Sequence, residues 1–144
     1  MEGGENQRMN ENALCPGLGD YLLVQARNNH WSNHRLHSAC LRLPATEYYV
    51  NRQSYFGSIH SHLDHIVFID WLYLERLTGE QYLPSNVGVE LHSEIAPLVQ
   101  DQVTADKALI EYCEAATAET LVSKVSFNLL DGTHIMLMGT IIKV

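Results

Sequence analysis

The segment between Ser58 and Gly79 constrains the fold of this chain more than any other part of the sequence. Its apolar residues recur at steps of three, four and seven from Ile59, which is the spacing of a helical stripe. Further apolar residues widen the stripe, so this helix must be covered on more than one side. Serine suits an N-cap and glycine suits the position after the last turn. The sequence therefore predicts a buried helix from Ser58 to Thr78.

Two more long helices are predicted on either side of this one. From Asp20, a candidate N-cap, apolar residues keep helical spacing until Pro44 ends the pattern. A second periodic run extends from about Leu98 to Ala116. A short helical turn is expected at residues 44–49, a polar loop at 51–54 and a long connection at 80–97. These elements predict an all-α chain with three main helices.

The last part of the chain supports two interpretations. Apolar and polar residues alternate from Val125 to Leu129, and Asp131-Gly132 is a turn signal, so a β-hairpin is one of them. In the other, a short extended piece leads into a new helix at residues 138–144. Periodicity alone leaves both open.

Residues 1–19 differ in composition from the rest of the chain. The stretch from Met1 to Asn12 is rich in Glu, Asn and Gly and has almost no apolar residue, which is typical of a disordered lead-in. Residues 20–144 have the length of a single domain. We therefore expect one helical domain over residues 20–144.

Charge and cysteine content narrow the possible partners. The chain has 9 Lys and Arg against 17 Asp and Glu, a formal charge of −8 without any basic run, so direct binding to nucleic acid is not expected. The three cysteines, Cys15, Cys40 and Cys113, lie far apart without a C-x-x-C pair, and their odd number does not suit a disulfide framework. No signal-like or bilayer-length apolar run occurs. We expect a soluble, cytoplasmic protein that does not bind membranes.

Histidines are the candidates for metal chemistry. His30, His34 and His37 follow i, i+4, i+7 spacing, which places them near one helix face, although a solvated face explains the same pattern. His60, His62 and His65 lie at the start of the central helix, where a buried imidazole is either a hydrogen-bonded core residue or a ligand. Outside these groups only His92 and His134 remain.

Other catalytic patterns are absent from the sequence. No Ser-His-Asp arrangement or reactive cysteine setting can be identified, and Gly17-Leu18-Gly19 lacks the preceding strand of a dinucleotide loop. Asp64 is expected to act as a cap or to contact a neighbour. Asp70 lies inside the apolar helix and needs a partner, for which we predict the Trp31 N–H, a tyrosine or Arg35.

Two motifs in this order resemble the DinB-like (damage-inducible) family of the DinB/YfiT superfamily. Residues 29–36, N-H-W-S-N-H-R-L, are similar to the family pattern N-x-W-[AS]-N-x-R-L. Residues 56–65, F-G-S-I-H-S-H-L-D-H, are similar to F-x-S-[IL]-x-x-T-L-x-H, and Asp70 and R-L-T-G at 76–79 continue the resemblance. It extends from about Tyr21 to the end of the chain and is strongest between Asn29 and Gly79.

The resemblance implies a DinB/YfiT-like up-down four-helix bundle, usually a homodimer, that holds a divalent metal such as nickel or zinc on three histidines. The first ligand falls on His65, whereas His60 and His62 do not match ligand positions. The other two belong to a fourth-helix stretch like N-H-x-T-H-H-R-G-Q, which does not occur in this sequence. We therefore expect an incomplete bundle of three main helices with a short C-terminal extended or hairpin segment.

Two functions are compatible with this resemblance. Complete members of the superfamily include thiol-dependent transferases, in which the metal activates a thiolate. The resemblance identifies no catalytic residue in this chain, so catalysis is left open. The alternative is a non-catalytic helical module that associates with itself through apolar faces a fourth helix would cover. Both interpretations predict a homodimer or a higher oligomer.

Overall fold

The structure, a computed structural model, describes residues 17–83, 90–123, 125–128 and 134–137. Its elements, in chain order, are α1 (Leu18–Cys40), α2 (Ala45–Tyr48), α3 (Ile59–Thr78), α4 (Ile95–Ala115), α5 (Ala118–Val122), β1 (Val125–Asn128) and β2 (His134–Leu137). The predicted all-α helical bundle with three main helices is confirmed. No described helix is long and apolar enough to cross a membrane.

Local chemistry sets both ends of α3, as the sequence predicts. Ser58 is the N-cap, and its Oγ accepts a hydrogen bond from the backbone N–H of Ser61 at 3.0 Å. Gly79 ends the helix at a φ of 75° and donates its N–H to the carbonyl of Glu75. A Cβ at Gly79 would meet no atom within 4 Å. Glycine is therefore favoured there by its backbone conformation and not by crowding.

The start of α1 differs from the prediction. Gly17 occupies the N-cap position, and Asp20 lies in the first turn, where its Oδ2 accepts the Gly17 N–H at 3.0 Å. The prediction of Asp20 as the N-cap is therefore wrong by about one turn, and Leu18 and Gly19 belong to the helix. A carboxylate in the first turn is favourable because it faces the positive end of the helix dipole.

The start of α4 also lies earlier than predicted. The helix begins at Ile95, three residues before Leu98, and includes Pro97 in its first turn. Proline is tolerated there because the first-turn N–H groups have no acceptor within the helix. The short helix α5 has no sequence prediction. It is capped by Thr117, whose Oγ1 accepts the Thr120 N–H at 3.2 Å.

The two strands form an antiparallel hairpin in which Val125 pairs with Leu137 and Asn128 with His134. This confirms the hairpin interpretation of the C-terminal region, and β1 lies against α3. The predicted turn at Asp131-Gly132 and the alternative helix at residues 138–144 lie outside the described residues.

Contacts between side chains give the directions of the main helices. Arg27, in the first half of α1, makes a salt bridge with Glu114 in the last turn of α4, so these two helices are antiparallel. Leu77, at the end of α3, lines a cavity with Leu109 in the second half of α4, so α3 and α4 are parallel. The up-down alternation thus holds between α1 and α3. Leu91 and His92, shortly before α4, lie next to Asp64 in the first half of α3.

The hydrophobic core lies where α3 meets α4, and α4 also packs against α1. Val67 and Leu74 of α3 and Leu98 and Ala105 of α4 are almost completely buried. Burying a Val or Leu side chain contributes about 1.5–3 kcal/mol relative to leaving it in water. The other buried members of this core are Cys40, Tyr48, Leu63, Trp71 and Leu83.

Candidate functional site

His65 lies in the second turn of α3 between two phenylalanine rings. Its imidazole stacks on Phe56, with ring centroids 4.1 Å apart and planes inclined by 29°, and Phe68 lies 6.1 Å away. The side chain is partly buried. Neither ring nitrogen has a hydrogen-bond partner among the described residues. The two aromatic contacts therefore hold the ring in place and leave its nitrogens available.

The two neighbouring histidines of α3 are already engaged. The buried His60 places Nδ1 3.2 Å from the hydroxyl of Tyr48 and Nε2 2.7 Å from the carbonyl oxygen of His92. His62 places Nδ1 2.7 Å from the carbonyl oxygen of Ser58. Of the two interpretations left open by the sequence, the hydrogen-bonded one holds for both residues. His60 joins α3 to the end of the long connection.

A buried carboxylate next to these histidines organises the same region. Asp64 is 1 % exposed and accepts the backbone N–H groups of Leu91 and His92 at 2.7 and 2.9 Å. Its Oδ1 also lies 2.9 Å from Nδ1 of His92. The predicted contact with a neighbour is thus confirmed, although the neighbour is 27 residues away in the chain. Nothing in the local sequence indicates this partner.

His92 connects Asp64 to a second carboxylate. Its Nε2 lies 3.2 Å from Oδ2 of Asp101, whose Oδ1 accepts the indole N–H of Trp71 at 3.0 Å. This chain of contacts borders a cleft of about 270 Å³, which Tyr82 and two leucines also line. Because these polar groups satisfy one another, the arrangement serves to hold the connection against α3 and α4.

The three histidines of α1 do not form a site together. His30 places Nδ1 3.2 Å from Oδ2 of Asp106, and His34 is exposed. His37 is 3 % exposed, and its burial lowers the pKa of the imidazole despite the opposing influence of Asp106. Its Nδ1 has no partner among the described residues. One histidine thus faces a carboxylate, one the solvent and one the interior.

Asp106 explains part of the first sequence motif. It is 2 % exposed, and its Oδ1 accepts side-chain N–H groups from Asn33 at 2.8 Å, Gln102 at 3.1 Å and Asn29 at 3.3 Å. The two asparagines of the motif at residues 29–36 therefore anchor α1 to α4. Their role in the described structure is to satisfy a buried carboxylate.

The partner of Asp70 differs from the prediction. Its Oδ2 accepts the side-chain N–H of Gln102 at 2.7 Å, and the predicted bonds to Trp31, a tyrosine or Arg35 are not made. Trp31 is instead 55 % exposed, with the guanidinium of Arg35 over its ring. Burial raises the pKa of Asp70, the bond from Gln102 opposes this, and the charge of Asp106 adds to the rise. The prediction fails because helix spacing gives the face of Asp70 and not the helix that it meets.

The described residues do not contain a complete metal centre. Within them, no three His, Cys, Asp or Glu side chains are grouped so that they could hold a metal ion. His134 lies in β2, where only the backbone is described. Cys40 is buried and Cys113 partly buried, and both are free thiols. A metal bound at His65 would need ligands from beyond this set.

Comparison with known proteins gives one match. The sequence model of the DinB family matches residues 9–127, which is well over half of the chain and includes both motifs. No curated protein and no solved structure matches significantly.

Proposed function

This chain belongs to the DinB family, and from that premise we propose that it binds a divalent metal, nickel or zinc, with His65 as its ligand on α3. Thiol-dependent transferases are the reaction class to which such a site would be related. No catalytic residue is assigned, because the described residues contain no group of three side chains that could hold the ion.

The state of its ring nitrogens is the observation that supports His65. Four other histidines of the described chain, His30, His60, His62 and His92, direct ring nitrogens at carboxylate, carbonyl or hydroxyl oxygens. His65 and the exposed His34 have no such partner among the described residues, and of these two it is His65 whose ring is stacked on a neighbour, Phe56. A neutral imidazole with a free nitrogen and a fixed ring is a suitable ligand for nickel or zinc.

The remaining ligands of this proposed site would come from other sources. Candidates are residues outside the described ranges, a second copy of the chain or the thiolate of a bound substrate. Zinc and nickel both accept imidazole, and zinc also binds thiolate strongly, so a mixed ligand set is chemically reasonable.

We expect protein purified without an affinity tag to contain about one nickel or zinc ion per chain, and the His65→Ala variant to lose it, because the ion would keep too few ligands. Plasma mass spectrometry of the metal content measures this directly. The matched control is His34→Ala, which removes an exposed histidine of α1. Its metal content should equal that of the unchanged protein. Equal content in the His65→Ala variant, or no metal in the unchanged protein, would contradict the proposal.

Self-association is a second candidate function, and it is favoured by the exposed face of α1. Tyr21, Val24 and Trp31 are 58 %, 59 % and 55 % exposed, and their spacing places them along one side of the helix. Three large apolar side chains in a row are typical of a helix that meets a partner. We propose that a second copy of this chain covers them.

The native mass in solution tests this candidate. We expect a dimer by light scattering, and at least a tenfold weaker association for Trp31→Glu, because the carboxylate would have to be buried in the interface. Tyr55→Glu is the control, since Tyr55 is 94 % exposed and belongs to the loop before α3. A monomeric unchanged protein, or equal effects of both substitutions, would exclude association through this face.

A further inference from the structure

An apolar groove runs between α1 and α4 near the last turn of α3. Its volume is about 340 Å³, which is within the range of pockets that bind small molecules. The side chains that form most of its wall are Leu22, Ala26, Leu77, Leu109, Tyr112 and Leu121. Cys113 also lines the groove and offers a chemical probe of its occupancy.

A second, smaller cavity adjoins this groove. It has a volume of about 50 Å³ and lies between α3 and α4. Leu77 and Leu109 line both spaces, so the two are neighbours. The charged groups of the small cavity are the carboxylates of Asp70 and Asp106. The apolar groove thus lies beside a cavity that is lined by two carboxylates.

The two carboxylates differ in how well they are satisfied. Asp106 accepts four side-chain contacts that use both of its oxygens. Asp70 accepts one, from Gln102 on Oδ2, and its Oδ1 has no partner among the described residues. No lysine or arginine of the described residues makes an ion pair with either carboxylate. Asp70 is therefore a partly buried anion without a cation.

We propose that the groove and the small cavity together bind a small organic amine, with its apolar chain in the groove and its ammonium group on Oδ1 of Asp70. The ammonium would supply the positive charge that the protein does not. It would also offset the cost of desolvating Asp70, which shows in the raised pKa of that carboxyl.

This site is independent of the proposed metal ligand. Asp70 and His65 are on the same helix, but His65 lines neither the groove nor the small cavity. If the metal proposal is wrong, the measured metal content will show it, and amine binding will not be affected. The two proposals therefore fail separately.

Calorimetry with three probes of equal chain length tests the proposal. We expect n-octylamine to bind at least about tenfold more tightly than 1-octanol, with octanoate weaker still, because only the amine pairs with a carboxylate. All three are used below the concentration at which they form micelles. In Asp70→Asn the preference for the amine over the alcohol should disappear. Glu111→Gln, which removes an exposed charge from α4, should keep it.

Alkylation of Cys113 gives a second measurement that reports the place of binding. Saturating octylamine should slow the reaction of this thiol with N-ethylmaleimide, as followed by peptide mass spectrometry. Ala116→Phe, which fills the rim of the groove, should abolish binding of both amine and alcohol. Equal binding of amine and alcohol, an unchanged preference in Asp70→Asn, or unslowed alkylation would each overturn the proposal. A melting curve of each variant confirms that it is folded.

Discussion

Replacing Asp106 by alanine is expected to lower the free energy of unfolding by about 3–5 kcal/mol, because four side-chain groups would lose their buried acceptor. Three of them, on Asn29, Asn33 and Gln102, donate to one oxygen, and His30 lies against the other. Since α1 and α4 meet at this carboxylate, the loss would weaken the whole contact between the two helices. Urea unfolding followed by circular dichroism measures the change.

Two further variants make this prediction specific. Glu111→Ala removes an exposed carboxylate from the same helix and should change the free energy of unfolding by no more than about 0.5 kcal/mol. Asp106→Asn keeps an oxygen for the three amide donors and should recover most of the stability. A loss of less than about 1 kcal/mol in Asp106→Ala would mean that water or rearranged side chains replace the carboxylate.

Asp64→Ala is expected to cost about 3 kcal/mol or more, for a different reason. The Asp64 carboxylate accepts two backbone N–H groups, those of Leu91 and His92, and both would be left without an acceptor. These bonds fix the end of the long connection to α3. The substitution should therefore increase local opening at Leu91 and His92 in addition to lowering the free energy of unfolding of the whole domain. Hydrogen exchange at the two amides should accelerate more than exchange within α3.

Asp101→Ala is the matched comparison for Asp64→Ala. Both carboxylates contact the imidazole of His92, but the Asp101 side chain is 30 % exposed and holds no backbone N–H of the connection. We expect it to cost about 1–1.5 kcal/mol, from the lost bonds to Trp71 and His92. Equal losses for the two variants would show that the contact with the His92 ring accounts for the stabilisation. The bonds from the backbone N–H groups of Leu91 and His92 to Asp64 would then contribute little.

The two buried aspartates change how the family motifs of this chain are understood. Asn29 and Asn33 are two of the six specified positions of the first motif, and in the structure they satisfy Asp106. Asp64 immediately precedes His65 in the second motif and anchors the connection to α4. The asparagines of the first motif therefore help to hold the bundle together, whereas Asp64 stands at a position that the second motif leaves unspecified. Of the three histidines in the second motif, His65 is the one with neither ring nitrogen bonded to another described residue.

Local sequence determined the elements that depend on nearby chemistry. Ser58 and Gly79 fix the ends of α3 because an N-cap and a left-handed C-terminal residue act within one turn. Apolar spacing identified the long helices and the all-α class. The alternation after Val125 was compatible with the observed hairpin but did not by itself decide between it and a C-terminal helix. Errors occurred where a local signal has two interpretations. Asp20 is as suitable for a first turn as for an N-cap, and Pro97 is as suitable inside a first turn as before it.

Only the tertiary structure decided which polar groups meet. Helix periodicity places Asp70 and Asp106 on inward faces but does not specify which helix each face meets, so Gln102 could not be foreseen as the partner of Asp70. The bond between Asp64 and Leu91 spans 27 residues and depends on the return path of the connection. The groove beside Leu77 and Leu109 is formed jointly by residues of α1, α3, α4 and α5. Such features arise from packing between distant segments, and no local pattern encodes that packing.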